Sequence, residues 1–215
     1  MALVIVVMGS IAPSASARTQ RRTIPSYVKP ALSGLVTLGA INRPYFRPNQ
    51  PMSRRRFGHL LRATFGTDYR SADGKITAQE VDAALVAVLG QKSAAAHLNH
   101  LQSADGWHPQ VGRHFGTEVV ARDLGLRYDH GTTDEQHEAA ATDPMTQADI
   151  LYAVWQAKTS PDVWAAEQLE MMTLPNLSAS QRNVIQFGFS LAGTPYVWGG
   201  EWPSRTPAGY PYGPQ

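Results

Sequence analysis

Cysteine is absent from all 215 residues. This excludes a disulfide scaffold, a Cys-ligated zinc site, an iron–sulfur cluster and, within these residues, a cysteine nucleophile. Charged residues are sparse at 17% against 43% hydrophobic, which excludes a chain held disordered by its charge. Long apolar runs are missing too. Leu3 to Met8, continuing through Ile11 to Ala12, stops well short of the ~20 residues that a membrane span needs. Acidic residues are scarce in the first third. Residues 1–75 hold 12 Lys/Arg and 2 Asp/Glu, whereas residues 76–215 hold 7 and 15. An anionic polymer partner or a merely solvated basic face accounts for that split. No nucleic-acid-binding motif or basic–aromatic interleaving accompanies it, so nucleic acid is not an expected partner.

Residues 1–17 read as an export signal. The apolar run ends in Ser14-Ala15-Ser16-Ala17, an A-x-A cleavage pattern, and Arg18 and Arg21-Arg22 follow. No Lys or Arg precedes the run, and a buried strand around Val4 to Val7 is the other reading of it. Cleavage after Ala17 would leave no membrane span.

Three copies of one short pattern organise the middle of the chain. Pro51-Met52-Ser53 precedes Phe57, Leu60 and Leu61; Lys75-Ile76-Thr77 precedes Val81, Ala84 and Leu85; Pro144-Met145-Thr146 precedes Ile150, Ala153 and Val154. Each reads as a helix start. The hydroxyl residue caps free backbone N–H groups, and an apolar face follows at i, i+3, i+4. Thr77 with Glu80 makes a capping box, and Thr146 with Asp149 an approximate one. The preceding Met or Ile stands where a hydrophobic staple fixes the entry angle. The copies start 24 and 69 residues apart, so the repetition has no strict period. Further helices are expected over 29–39, 93–101, 117–126 and 161–172, the last with Pro161 in its first turn. No clear sheet is expected.

The first copy and its upstream helix resemble an S-layer homology unit. The helix covers 31–40, the phrase is Phe46-Arg47-Pro48-Asn49-Gln50-Pro51-Met52-Ser53-Arg54, and a second helix begins at Phe57. The likeness extends more loosely over residues 26–158. It implies three units around a pseudo-threefold axis that bind an anionic cell-wall polysaccharide, with the Arg after the hydroxyl residue contacting the polymer. Arg54 is that residue, while the other copies hold Ala78 and Gln147 there. The residues alone also allow Arg54-Arg55-Arg56 to be a solvated helix face.

Ser71, Asp73, Gly74, Ile76, Thr77 and Glu80 fit positions 3, 5, 6, 8, 9 and 12 of an EF-hand loop. Position 1 is Tyr69, and Asp68 is one residue out of register. An Asp-Gly turn before a capped helix accounts for the same residues, and no metal is expected. His97 and His100 can share a helix face, and His108 and His114 follow in a loop. No acidic residue stands at a metal-ligand spacing from them, so they read as surface or partly buried side chains. The acidic residues from Asp134 to Asp143 read as a solvated loop.

Composition shifts at Leu174-Pro175-Asn176-Leu177. Ser178 or Ser180 caps another helix, which bears Val184, Ile185, Phe187, Phe189 and Leu191. Gly193-Thr194-Pro195 ends it, and Tyr196-Val197-Trp198-Gly199-Gly200 follows. By itself this phrase is a packed aromatic corner. Helix and phrase closely resemble the opening of NlpC-type domains, papain-like cysteine peptidases of bacterial cell walls. In that family G-x-P-Y-x-W-G-G precedes D-C-S-G. The resemblance implies that Tyr196 lines a substrate pocket and that a Cys nucleophile and its His come later. Residues 201–215 hold no D-C-S-G, and every His precedes the phrase. The expectation is therefore a C-terminally truncated, inactive sequence.

Together these readings give a mainly α chain: a signal peptide over 1–17, S-layer-homology-like helices over 18–175, and the start of an α+β papain-like domain over 176–215. The expected function is that of a secreted, wall-associated peptidoglycan hydrolase fragment. Its expected partners are peptidoglycan stem peptides, met at Tyr196, and an anionic wall polysaccharide, met at Arg54. No cofactor or metal is expected. The alternative is a non-enzymatic wall-polysaccharide-binding module.

Overall fold

The computed structural model describes residues 23–70, 72–130 and 139–191. The export signal, Ser71, the acidic residues 134–138 and the Tyr196 phrase lie outside the described residues. Eight α-helices form the described part: α1 (Lys29–Thr37), α2 (Arg54–Phe65), α3 (Ala78–Val88), α4 (Lys92–Asn99), α5 (Phe115–Asp123), α6 (Gln147–Thr159), α7 (Val163–Glu170) and α8 (Ala179–Ser190). Among the described residues there is no strand, only isolated bridges. None of these helices is long and apolar enough to cross a membrane. The chain is mainly α.

The helix starts are chemically similar. Ser53 Oγ accepts the Arg56 N–H at 3.3 Å, and Thr146 Oγ1 accepts the Asp149 N–H at 3.2 Å. At the start of α3 the Thr77 N–H and hydroxyl both donate to Glu80 Oε2, at 2.9 and 3.0 Å. These contacts satisfy backbone donors that a helix leaves open at its first turn. Ser178, not Ser180, caps α8 and forms a box with Gln181. Pro161 differs from the expectation. Asp162 caps α7 by accepting the Ala165 N–H, so Pro161 lies ahead of the cap and outside the helix.

One core runs through α1 to α7. It includes Leu35, Phe57, Leu60, Leu85, Leu98, Val120, Ile150 and Val154, all almost fully buried. Helix α1 packs on α6, and α5 packs on α3, α4 and α7. Two glycines set the closest approaches. A Cβ on Gly34 would overlap the Trp155 indole, and one on Gly116 would overlap the Ala95 carbonyl. Helix α8 contributes no buried residue. It is held by Arg182 on Asp105, by Gln186 on the Gln110 backbone and by Phe189 tilted against Phe115.

Candidate functional site

The three repeated phrases meet at one place. Ile76 N–H donates to Met52 O (3.0 Å), Met145 N–H to Ile76 O (3.0 Å), and Met52 N–H to Met145 O (3.2 Å). A second set runs in the opposite rotation. Arg54 N–H donates to Gly74 O (2.9 Å), Ala78 N–H to Asp143 O (3.0 Å), and Gln147 N–H to Gln50 O (2.9 Å). Six hydrogen bonds thus close a ring of three segments, and the Met52, Ile76 and Met145 side chains are buried with it. The first residue of α2, Arg54, meets the third residue of α3, Glu80, and the first residue of α6, Gln147, meets the third of α2, Arg56; Ala78 and Asp149 hold the corresponding places in α3 and α6. That creates three junctions of the same backbone and different chemistry.

At the first junction Arg54 clamps Glu80. Its Nε is 2.8 Å from Oε1 and its Nη2 is 3.0 Å from Oε2, while Nη1 reaches Asp73 O at 3.3 Å. Burial alone raises the Glu80 carboxyl. The Arg54 guanidinium and the Thr77 donors outweigh it and hold the group below the usual carboxylate range. Glu80 in turn raises Arg54. The residue expected to touch polymer is therefore charge-matched inside the fold, with a quarter of its side chain exposed.

At the second junction Ala78 offers no polar group, and Asp149 is satisfied from elsewhere. It accepts from the Thr146 hydroxyl at 2.6 Å and the Tyr27 hydroxyl at 2.7 Å, and His130 Nε2 lies 3.1 Å away. Burial raises the Asp149 carboxyl, but these donors outweigh it and the carboxyl is lowered. Tyr27 stacks on Tyr128 at 3.8 Å between ring centroids, with the His130 ring edge-on to both. At the third junction Gln147 Oε1 accepts from Arg56 Nη1 at 2.9 Å and from the Arg47 backbone N–H at 3.0 Å. Burial and the nearby Arg47 charge both lower Arg56.

No family model, curated protein or solved structure matches the chain. The likenesses to S-layer homology units and to the NlpC opening rest on the short phrases that carry them.

The EF-hand-like residues do not converge on a centre. Glu80 is held by Arg54, Asp73 pairs with Arg55 at 2.9 Å, and Asp68 pairs with Arg62 at 2.6 Å. Among the described residues no group of three His, Asp or Glu is placed to hold a metal. His97 lies on α4, and His100 just past its end rather than on a shared helix face. They line an open cleft of about 580 Å3, where His97 Nε2 sits 2.7 Å from Met172 O.

Two buried polar groups lay outside the expectations. His130 is almost fully buried against Asp149. Arg127, Asp82 and Glu118 form a buried cluster, with Arg127 Nη2 2.8 Å from Asp82 and 3.3 Å from Glu118. Burial pushes the Asp82 carboxyl up to about 7 despite Arg127, and the Glu118 charge pushes in the same direction. A signal for Asp82 existed: it follows Val81 on the face that also carries Leu85, where an acid needs a buried cation. Arg127, 45 residues on, could not be assigned to it from spacing.

Proposed function

We propose that the helical region is a binding module for an anionic cell-wall polysaccharide, carried by an exported protein. The observation that supports this reading is the six-bond ring of 50–54, 74–78 and 143–147. Such a ring fits the pseudo-threefold arrangement that the S-layer homology resemblance implies. The excess of cations in residues 1–75 supplies attraction for an anionic polymer. In this reading Arg54 shapes the first junction against Glu80, and its unused N–H groups contribute at the rim.

The test is co-sedimentation of the whole chain with purified bacterial sacculi. One sample keeps its anionic polymers, and a second is stripped of them. Binding to the first at low salt, its loss in the second, and its weakening as salt rises are expected, since exposed charge attraction is screened. Equal pelleting with both samples, or none with either, overturns the reading.

A second reading keeps the chain as the front part of an NlpC-type peptidoglycan peptidase acting on stem peptides. Its support is α8. Val184 is 71% and Phe187 67% exposed on that helix, as on a face made to be covered by a further unit, and the Tyr196 phrase follows it. These 215 residues carry no Cys, so they should leave stem peptides intact. Release of cleaved stem peptides from sacculi by the purified chain would contradict this account.

A further inference from the structure

We infer that Arg47 and Arg56, drawn together at the third junction, form a binding site for an acidic group, carboxylate or phosphate, on a saccharide. This rests on the wall-polymer reading and moves the point of contact away from Arg54.

Three observations carry it. The first is a departure from the pattern of the other two junctions. The third residue of α3 is Glu80 and that of α6 is Asp149, the acids that suit the positive end of a helix. The third residue of α2 is Arg56, and Arg54 and Arg55 precede it, so the first turn of α2 carries three cations and no acid. Glu80 takes up one of them and Asp73 another. Arg56 has no carboxylate partner among the described residues.

The second is the neighbour. The Arg47 N–H and Arg56 Nη1 converge on the same oxygen, Gln147 Oε1. The Arg47 guanidinium is folded back on the carbonyls of Pro44 and Phe46, both at 2.8 Å. Two like charges are thus held near each other by neutral acceptors. The neutral acceptors leave both positive charges unmatched, whereas an incoming anion gains two guanidinium forks. Sites that break a local rule without a structural return are where function is expected.

The third is Tyr45, two residues before Arg47 and 66% exposed on the 3-10 turn Arg43–Tyr45. Its exposed ring, two residues from Arg47 in the chain, offers an apolar platform to a sugar face.

The experiment compares the whole wild-type chain with Arg47→Gln/Arg56→Gln. Each is measured against sacculi and three soluble probes: polygalacturonate, inorganic polyphosphate and neutral dextran. The wild type should bind sacculi and at least one polyanion at low salt and leave dextran unbound. The double variant should lose about tenfold or more of that affinity, the size expected for removing charge-assisted contacts. Its melting temperature should change little, because relief of the like-charge contact offsets the hydrogen bonds lost at Pro44, Phe46 and Gln147. Arg56→Lys should recover only part of the binding, because an ammonium keeps the charge but not the fork. Preference for polygalacturonate assigns a carboxylate, and preference for polyphosphate a phosphate. Tyr45→Ala should weaken polygalacturonate binding and leave polyphosphate binding unchanged. If sacculi and polyanions bind the wild type and the double variant equally, this site is overturned and the wall reading stands. If polyanions bind through the pair but sacculi do not bind, the wall reading falls and the anion site stands. If no probe binds the wild type, both fall.

Discussion

Arg54 and Glu80 join the first and second segments through two N–H···O contacts of 2.8 and 3.0 Å, and the same places at the third junction are filled by Gln147 and Arg56. One junction is therefore neutral and the other cationic on the same backbone.

Glu80→Gln should unbalance the first junction. The variant keeps a weaker cap, and the lost capping strength costs about 1 kcal/mol. It also leaves the Arg54 charge unmatched. Pelleting with anionic sacculi should then persist to higher salt than in the wild type. Unchanged salt dependence would show that Arg54 does not face the polymer.

Gly116→Ala and Gly34→Ala should each destabilise the fold by roughly 1–3 kcal/mol, the usual range for overpacking. The added methyl of Gly116→Ala meets the Ala95 backbone, and that of Gly34→Ala the Trp155 ring. Gly188→Ala is the counter-case. It lies within α8 with nothing within 4 Å of an added Cβ, so α8 should gain up to about 1 kcal/mol of helix propensity. Urea denaturation of the three variants separates packing from propensity; a stabilised Gly116→Ala would refute the close approach of α4 and α5.

Stability should fall as pH rises from about 4 to about 7. Asp82 is pushed up to about 7 in the folded protein, whereas in the unfolded chain it is an ordinary carboxyl near 4. The unfolded state gives up that proton first and is favoured across the interval. Glu80 and Asp149 act in the opposite direction. Both are lowered by folding, so their contribution is present above the ordinary carboxylate range and is lost in acid. Asp82→Asn should flatten the decline and match or exceed the wild type at pH 8. The same slope in the variant would assign it to another group.

Tyr27→Phe should cost about 1–2 kcal/mol. It removes one of the donors on the buried Asp149 carboxylate and leaves an acceptor less well satisfied. The tyrosine stack and the core packing are kept, so a loss far above this range would point to a larger rearrangement around His130.

The local grammar of the fold was legible. Ser53, Thr77 with Glu80, Thr146 and Ser178 act as caps, and Gly39 and Gly125 adopt positive φ at the ends of the helices expected over 29–39 and 117–126. These features depend on a few neighbouring residues. Pro161 misled because Asp162, the next residue, is the better cap. The site was less legible because its chemistry is non-local. Pattern alone places Glu80 at the Thr77 cap or, less readily, in a metal loop, and does not announce Arg54. The choice is made by a partner 26 residues away in sequence. His130 and Arg127 likewise acquire their roles from α6 and α3, which their spacing does not announce.

The ring of three segments also constrains how the chain reaches its native state. Its first two members are 24 residues apart, but the third starts 69 residues later, and each segment both donates to and accepts from each of the other two. With two segments in place, the outer groups still face water and the central Met and Ile side chains remain uncovered. The structure is completed only when residues 143–147 arrive, so a growing chain should stay loosely organised until residue 147 has been made. Closure of that long loop, rather than formation of any helix, is the expected bottleneck of folding.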